Sequence, residues 1–385
     1  MVEIGRGRSA RQTFGFDDIA LVPGAITLDP ELVDLRCDLA GIRLDLPVLA
    51  SAMDCVVDVR SAAVLSELGG LAVLHLEGIH CRYDDPTQIL ERIASAPTEE
   101  AIAVIQEVYR EPVRDDLILR RIGELRERGA KVAVSPTPTS ARHAAEVIGP
   151  GKLDALVIQS TVTTARHLSS RYTSPDFRAL AEIVRAPVFV GNCVSYQAAL
   201  ELMQAGADGI LVGVGPGAAC TTRRVLGIGV PQVTAAVDCA AARDEFLRET
   251  GKRVPIVLDG GMRVGGDVAK AIAAGADAVM IGSPLAAAEE APGRGYHWGM
   301  ATSASGLPRG TRIKVGIAGP MKEILLGPAR KDDGTMNLFG ALRLSMASCG
   351  ARTLLDMQKT EIVVAPALPT EGKAAQRAQG VGGTR

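Results

Sequence analysis

The chain has 385 residues, of which 47% are apolar and only 3% aromatic, with 42 glycines. A formal charge of −2, from 42 basic and 44 acidic side chains, offers no broad positive surface for a nucleic acid. The seven cysteines form no Cys-x-x-Cys pair and have no histidine cluster beside them, which disfavours a zinc site. Their odd number, with no signal core and no membrane-length apolar stretch, predicts a cytoplasmic protein without membrane partners.

Eight short apolar runs recur along the chain, each followed by glycine, proline or a polar turn. They are continuous rather than alternating, which is typical of strands buried on both faces. Helical patterns follow several of them, at 61–68, 195–205 and 266–274. The runs are 46–50, 71–75, 131–135, 154–159, 187–191, 209–213, 255–258 and 278–281. This alternation predicts an α/β fold, a (β/α)₈ TIM barrel, with an open doubly wound sheet as the alternative.

The alternation of apolar runs and helical patterns also indicates the domain organisation. Residues 79–130 break the rhythm, with a helix or extra strand at 98–109 and a charged helix at 115–128. The motif Ala-Gly-Ala-Asp occurs at 205–208 and 274–277, where a helix ends at glycine and a strand begins, so it repeats the barrel unit. We expect one barrel domain over 1–367 and a disordered tail over 368–385.

The loop after the sixth strand, 213–223, reads Gly-Val-Gly-Pro-Gly-Ala-Ala-Cys-Thr-Thr-Arg. Barrel enzymes carry their chemistry at the C-terminal ends of the strands. Closely spaced glycines let backbone groups converge on a phosphate or a cation, and they can leave the thiol of Cys220 exposed. A thiolate is a nucleophile, so Cys220 is a candidate for covalent catalysis. The alternative is that Cys220 is a small buried apolar residue.

The loops after the seventh and eighth strands carry Asp259-Gly-Gly261 and Gly282-Ser283. Loops in these positions often bind phosphate in barrels, and Asp259 can bind ribose hydroxyls, with a helix N-cap or a turn residue as its alternative role. Weaker candidates are His75, His297 beside the only Trp, and Arg223 and Arg224. Packing explains the histidines equally well, and surface charge explains the arginines.

Together these residues resemble the IMP dehydrogenase / GMP reductase family from Phe14 to about Pro366. The matching segments are 13–23, 47–54, 68–75, the Cys220 loop, 259–261, 280–283 and 296–300. The Cys220 loop is the specific signal, because Asp-Gly-Gly and Gly-Ser also occur in FMN-binding barrels.

The resemblance implies that Cys220 adds to C2 of a purine nucleotide during hydride transfer and that Thr222 assists proton transfer. Substrate contacts would come from Ser51, Met53, Asn192, Gly217, Asp259, Gly261, Gly282, Ser283 and Met300. An NAD(P)H cofactor would lie against Gln159 and Ser160. Carbonyl groups of Gly215, Gly217 and Cys220 would offer a K⁺ site, and a homotetramer or higher assembly is implied.

The chain also departs from the family pattern. Residues 79–130 are too short for the paired regulatory CBS domains of typical IMP dehydrogenases. The family's Asp after the fourth strand is Gln159, which removes a charge; its basic residue on strand six is Leu211, and a phosphate-contacting Ser is Ala218. The flap before Ile313 is very short, the Arg-Tyr pair that activates water has no counterpart, and a Glu before Gly is Arg309.

Dehydrogenation needs a mobile flap and a base for water, whereas GMP reduction needs neither. The short flap and the missing CBS pair therefore favour a GMP reductase using NADPH, with an IMP dehydrogenase using NAD as the alternative. A nucleotide-binding paralogue without turnover is a further alternative, but the presence of Cys220, Thr222 and Asp259 argues against it. The last alternative is an FMN-dependent barrel oxidoreductase, which would be yellow when purified.

Overall fold

A closed barrel of eight parallel strands forms the body of the protein in a computed structural model, which describes residues 1–170, 173–299, 311–366 and 373–379. Each strand pairs with the next along the chain, and the last pairs with the first. The strands are β1 (Val48–Ala50), β2 (Leu71–His75), β3 (Ala133–Ser135), β4 (Ala155–Gln159), β5 (Val188–Cys193), β6 (Gly209–Val212), β7 (Ile256–Asp259) and β8 (Ala278–Ile281). The predicted (β/α)₈ barrel is confirmed, and the eight predicted runs match these strands to within two residues at each end.

Two apolar layers explain why the strands are apolar throughout. Alternate side chains, such as Val73, Phe189 and Val257, fill the interior of the barrel, while those between them pack against the surrounding helices. A hairpin of Cys37–Leu39 and Ile42–Leu44 closes the N-terminal end, where its leucines join the interior cluster. The opposite end, where the strands terminate, stays open.

Helices connect and surround the strands. Those between β1 and β5 are α1 (Val59–Glu67), α2 (Pro86–Ser95), α3 (Ala101–Val108), α4 (Asp115–Glu127), α5 (Ala141–Ile148) and α6 (Phe177–Val184). Those after β5 are α7 (Tyr196–Gln204), α8 (Thr222–Leu226), α9 (Gln232–Thr250), α10 (Gly265–Ala273), α11 (Ser283–Ala286), α12 (Met321–Leu326), α13 (Leu338–Ser348), α14 (Leu354–Met357) and α15 (Ala374–Gln379). The predicted helices at α1, α4, α7 and α10 are confirmed, and 98–109 contains a helix rather than a strand. No helix in the described ranges is long and apolar enough to cross a membrane.

Short elements complete the fold. Three antiparallel ribbons pair Val2–Gly5 with Arg8–Ala10, Ile19–Leu21 with Ile362–Val364, and Tyr296–His297 with Ile313–Lys314. Single 3₁₀ turns span Phe16–Asp18, Pro30–Leu32 and Ile79–Cys81.

Helix α15 lies inside the tail for which the sequence predicts disorder. Alanine, glutamine and arginine, which make up this helix, are all good helix formers. The remainder of the predicted tail, 368–372 and 380–385, lies outside the described residues, as do the expected substrate contact Met300 and the departure Arg309.

The repeated Ala-Gly-Ala-Asp motif is structural, as predicted. Gly206 and Gly275 end their helices at φ angles of 105° and 110°, which favour glycine. The aspartate that follows lies just before a strand and accepts a hydrogen bond from the backbone N–H at the start of the neighbouring strand. Asp208 accepts from Val188 at 3.0 Å and Asp277 from Ile256 at 2.8 Å. The motif therefore sets the register between adjacent strands.

The segment between β2 and β3 is tied to the open end of the barrel by buried hydrogen bonds. The hydroxyl of Tyr109 donates to Asp54 Oδ2 at 2.6 Å and accepts from Trp298 Nε1 at 2.9 Å. Burial, and next the Asp54 carboxylate, hold the pKa of Tyr109 well above its ordinary value. Asp54 follows β1, and Trp298 follows the ribbon strand Tyr296–His297, so three separate parts of the chain meet at one phenol.

Gly209 tests the tight packing of the barrel interior. A Cβ at this position would lie 2.2 Å from the ring of Phe189, which is held rigidly in the core. We expect Gly209→Ala to lower the free energy of unfolding by about 1–3 kcal/mol through overpacking. The control is Gly123→Ala in α4, where a Cβ would meet no atom within 4 Å. This substitution should raise the free energy of unfolding by about 0.5–1 kcal/mol. Equal urea midpoints for the two variants would contradict this account.

Tyr109 can be tested by removing its hydroxyl alone. Tyr109→Phe leaves the Trp298 N–H without its acceptor and removes a donor to Asp54, so we expect a loss of about 2–3 kcal/mol of stability. Tyr83→Phe is the control, because its half-exposed hydroxyl donates only to the Val108 carbonyl, and its loss should cost about 1 kcal/mol. Since the chain has a single Trp, Y109F should also shift its fluorescence. Unchanged emission with unchanged stability would refute the network.

Candidate active site

The open end of the barrel contains a cavity of about 180 Å³. The weaker candidates Arg223 and Arg224 do not line this cavity, whereas each site residue that the resemblance implies and the structure describes lies on its wall. These are Ser51, Met53, Gln159, Ser160, Asn192, Gly215, Gly217, Cys220, Thr222, Asp259, Gly261, Gly282 and Ser283. They come from the ends of β1, β4, β5, β6, β7 and β8, so the structure brings the predicted residues into one place, while their individual roles stay predictions.

Cys220 is the only exposed cysteine of the seven, all of which are in the described ranges. The alternative that it is a small buried residue is therefore wrong. Its Sγ lies 3.1 Å from the Thr222 hydroxyl, and its backbone N–H donates to the Gly217 carbonyl at 3.0 Å. By contrast, burial raises the pKa of the Cys81 thiol to about 12, which keeps it protonated and inert. Cys220 is thus the thiol that a ligand in this cavity can reach.

Arg223 holds the Cys220 loop in shape. Its guanidinium donates to the backbone carbonyls of Val214 at 3.1 Å and Val230 at 2.7 Å, and so joins the start of the loop to the segment that follows α8. The Cγ of Arg223 lies only 2.6 Å from the position that a Cβ on Gly215 would occupy, and Gly215 has a φ of 73°. The structure therefore gives Arg223 a structural role, which the sequence alone did not indicate.

Asp259 is the centre of a polar cluster inside the cavity. Its Oδ2 accepts hydrogen bonds from Gln159 Nε2 at 2.7 Å and from Asn192 Nδ2 at 2.8 Å. Burial raises the pKa of Asp259 to about 6, although these two hydrogen bonds act to lower it. The helix-capping alternative for Asp259 is wrong, because α10 begins at Gly265. A carboxylate oxygen remains available to accept from a ligand.

Gln159 has no donor left for a cofactor. Its Nε2 donates to Asn192 Oδ1 at 3.0 Å as well as to Asp259, and a primary amide has only two N–H bonds. Its carbonyl oxygen alone is free to meet a ligand, as an acceptor. If Gln159 contacts the cofactor, as expected, it can therefore contact only a group that donates a hydrogen bond.

The two neutral departures, Gln159 and Leu211, are neighbours in space. Each pairs with Gly191 of β5, one from either side, and a Cβ on Gly191 would lie 2.6 Å from the Cβ of Leu211. Leu211 is fully buried among the interior residues. The positions to which the resemblance assigns an acidic and a basic residue thus face one layer of the barrel, and both are uncharged here.

The other end of the cavity is formed by small residues from β1 and β8. A Cβ on Gly282 would lie 3.0 Å from Met53 Sδ and 3.4 Å from Ser51 Oγ, so a larger residue at 282 would require the Met53 side chain to shift. Gly261, from β7, adopts a φ of 84° in the wall nearby. Ala218 presents a methyl group in the position where the resemblance expects a serine.

Two histidines that are weaker candidates in the sequence also line the cavity. His297 lies in the cavity wall, and its Nε2 is 3.1 Å from Ser283 Oγ. His75 also lines the cavity, and its Nδ1 accepts from the backbone N–H of Glu77 at 3.1 Å. Burial opposes ionisation of Glu77, but His75 and the hydroxyl of Ser140 more than offset this and leave its pKa lowered. Position at a strand end was the available signal for His75, whereas His297 follows a loop with no such signal.

A metal site made of side chains is absent from the described part of the chain, where no three His, Cys, Asp or Glu residues cluster suitably. A cation held by backbone carbonyls is a different case. In the Cys220 loop the Gly217 carbonyl already accepts one hydrogen bond, and it retains a second lone pair.

The raised pKa of Asp259 predicts the sign of a pH effect. Because the folded-state pKa of about 6 exceeds the ordinary value, ionising Asp259 opposes folding, and this penalty appears as the pH rises through the folded pKa. Asp259→Asn keeps an oxygen that accepts from Gln159 and Asn192. We expect D259N to exceed the wild type in unfolding free energy by about 1–3 kcal/mol above roughly pH 7, with the gap closing in acid.

Asp356→Asn is the control of opposite sign. The hydroxyl of Thr353 lowers the pKa of the exposed Asp356 carboxyl, so that carboxylate stabilises the fold above its unfolded pKa, and the contribution is lost as the pH falls. Urea unfolding across the pH range measures both variants. A D259N protein less stable than the wild type at neutral pH would contradict the assignment of a buried, destabilising charge.

Comparison with known proteins places this geometry in a family. The model of the IMP dehydrogenase / GMP reductase domain matches residues 13–371. An uncharacterized oxidoreductase of Mycobacterium tuberculosis is 39% identical, over 94% of this chain and all of its own length. An inosine-5′-monophosphate dehydrogenase of Cryptosporidium parvum is 29% identical, over 89% of this chain and 90% of its own.

A solved structure agrees with these matches. The crystal structure of an IMP dehydrogenase/GMP reductase-like protein from Corynebacterium glutamicum superposes with a TM-score of 0.87 and 35% identity, covering 94% of this chain and 97% of the other. Fold, cavity and sequence thus agree, and a nicotinamide cofactor is favoured over the flavin alternative. The chain belongs to the IMP dehydrogenase / GMP reductase family of oxidoreductases.

Proposed function

We propose that this protein oxidises or reduces C2 of a purine nucleoside 5′-monophosphate with a nicotinamide cofactor, and that the favoured reaction is oxidation of IMP by NAD⁺. One observation carries the proposal: the exposed Cys220 thiol shares a single cavity with the Asp259 cluster and the Ser51–Ser283 end. A nucleophile for the base, an acceptor for the ribose diol and a small-residue pocket for the phosphate are all present there.

Binding follows from the chemistry of each group. The Asp259 carboxylate accepts hydrogen bonds from the ribose hydroxyls, and the amides of Gln159 and Asn192 hold it in place. Ser51, Gly261, Gly282 and Ser283 surround the phosphate, while Met53, beside Gly282, contacts the base. These contacts orient the purine so that its C2 faces Cys220.

Cys220 provides the nucleophile, because its thiolate would form an S–C2 bond with the purine. A bound nicotinamide cofactor would supply the acceptor for the hydride lost from C2. Water would then add to C2 as the S–C2 bond breaks, so that IMP, NAD⁺ and water give XMP, NADH and a proton in total. Thr222, whose hydroxyl lies 3.1 Å from Cys220 Sγ, is placed to move a proton at the sulfur or at the attacking water.

The cofactor fits the wall formed by β2, β3 and β4. His75, Thr137, Gln159 and Ser160 line this part of the cavity, and Gln159 offers only an acceptor. Ribose hydroxyls are donors, so a nicotinamide riboside group satisfies it. Carbonyls of the Cys220 loop would hold K⁺, and a tetramer is the assembly we propose.

Two features of the chain bear on the direction of the reaction, namely the absence of a CBS pair and the short flap before Ile313. Absence of a CBS pair favoured a GMP reductase in the sequence, but the Cryptosporidium parvum IMP dehydrogenase aligns over 90% of its own length with a chain that has none. This feature therefore no longer opposes IMP oxidation, and the activity for which that relative is named favours it. GMP reduction by NADPH remains the second candidate, and the short flap before Ile313 favours it.

Two assays test the proposal. The protein is incubated with IMP and NAD⁺, and separately with GMP and NADPH, with and without K⁺, while the absorbance of the reduced cofactor is followed. We expect NADH to form from IMP, and we expect Cys220→Ala to reduce turnover by at least about 10³-fold while nucleotide binding survives. The matched control, Cys349→Ala, alters a cysteine far from the cavity and should leave turnover unchanged.

Each other outcome has a defined meaning. Oxidation of NADPH by GMP alone would replace the favoured reaction with the second candidate. No hydride transfer with either pair would refute the proposed enzyme in favour of a nucleotide-binding paralogue. Turnover that persists in C220A would refute the covalent mechanism.

A further inference from the structure

His297 is a buried polar residue at the cavity that the proposed reaction does not use. The residue is only 2% exposed, and its Nε2 lies 3.1 Å from the hydroxyl oxygen of Ser283. Its other ring nitrogen, Nδ1, is buried and has no hydrogen-bond partner among the described residues. One ring nitrogen is therefore hydrogen-bonded to Ser283, and the other has no hydrogen-bond partner among the described residues.

This asymmetry determines where the ring carries its proton. Burial lowers the pKa of His297 to about 4, so the ring is neutral near pH 7 and holds a single N–H. A buried N–H without an acceptor is the costlier defect and is rare in native proteins. The proton consequently belongs on Nε2, which donates to Ser283 Oγ, and Nδ1 keeps its lone pair.

The tautomer in turn fixes the direction of the Ser283 hydroxyl. A serine that accepts from Nε2 has its own O–H free, and the described part of the chain offers that O–H no acceptor. The opposite tautomer would draw the hydroxyl hydrogen toward the ring and leave only lone pairs facing the cavity. His297 therefore decides whether Ser283 attracts or repels an anionic oxygen.

We propose that His297 is a positioning residue that presets Ser283 as a hydrogen-bond donor to the 5′-phosphate of the nucleotide. The inference rests on the proposed function for the identity of the nucleotide. It assigns His297 a part in recognising the phosphate and none in the chemistry at C2. The ring carries no charge in this role, so recognition works through the direction of one hydroxyl.

The test compares ligands with and without phosphate. Dissociation constants for IMP and inosine are measured by calorimetry with the wild type, His297→Phe, His297→Gln, Ser283→Ala and the H297F/S283A double variant. We expect H297F and S283A each to weaken IMP binding about 10-fold, as the loss of one hydrogen bond to a charged group predicts. Inosine binding should not change, the double variant should be no worse than either single one, and the amide of H297Q should restore most of the affinity.

A spectroscopic measurement keeps the proposal testable if H297F fails to fold. Nitrogen NMR of the protein, which has five histidines, distinguishes the two neutral tautomers, and His297 should be protonated on Nε2 with and without added inorganic phosphate. Protonation on Nδ1, equal weakening of IMP and inosine by H297F, or additive effects in the double variant would each overturn the proposal. Failure of the proposed function would appear instead as wild-type protein without hydride transfer, and it would leave these readouts intact.

Discussion

Closure of the barrel by hydrogen bonding between β8 and β1 is the constraint on which the site depends. Val279 pairs with Val48 and Ile281 with Ala50, and the pairing continues one residue further as the Ser51 N–H donates to the Ile281 carbonyl. This last bond places Ser51 beside Gly282. Because all eight strands run in one direction around a closed ring, every strand end meets its neighbours at one rim, and residues distant in the chain become the two ends of one binding site.

The sequence predicts the parts of this arrangement that local patterns encode. Continuous apolar runs locate the strands, because both faces of each strand are covered, and paired glycines mark the loops where backbone must approach a ligand. Cys220, Asp259 and Ser283 follow directly from those positions. The resemblance then groups them, since no local pattern says which rim residues touch.

Local sequence patterns do not show which loops hydrogen-bond to each other. Neither the two amides that share Asp259 nor the phenol of Tyr109 between Asp54 and Trp298 is visible in composition or period, because each joins segments far apart in the chain. The sequence pattern around His297 indicates aromatic packing for the same reason, because its contact with Ser283 joins two separate loops. The helix in the tail is the reverse case, because the helix preference of its residues is a local property.

The neutral layer around Gly191 has a consequence for how this chain could have diverged. Gln159 and Leu211 flank that glycine, so the identity of each sets the cost of changing the other. An arginine introduced at 211 alone would be a buried cation beside two amides, and an aspartate at 159 alone would face the carboxylate of Asp259. Either single substitution would therefore place a buried charge in this layer without an opposite charge at the other position. We expect a charge at 159 or 211 to be tolerated only together with an opposite charge at the other, so that the two positions change as a pair.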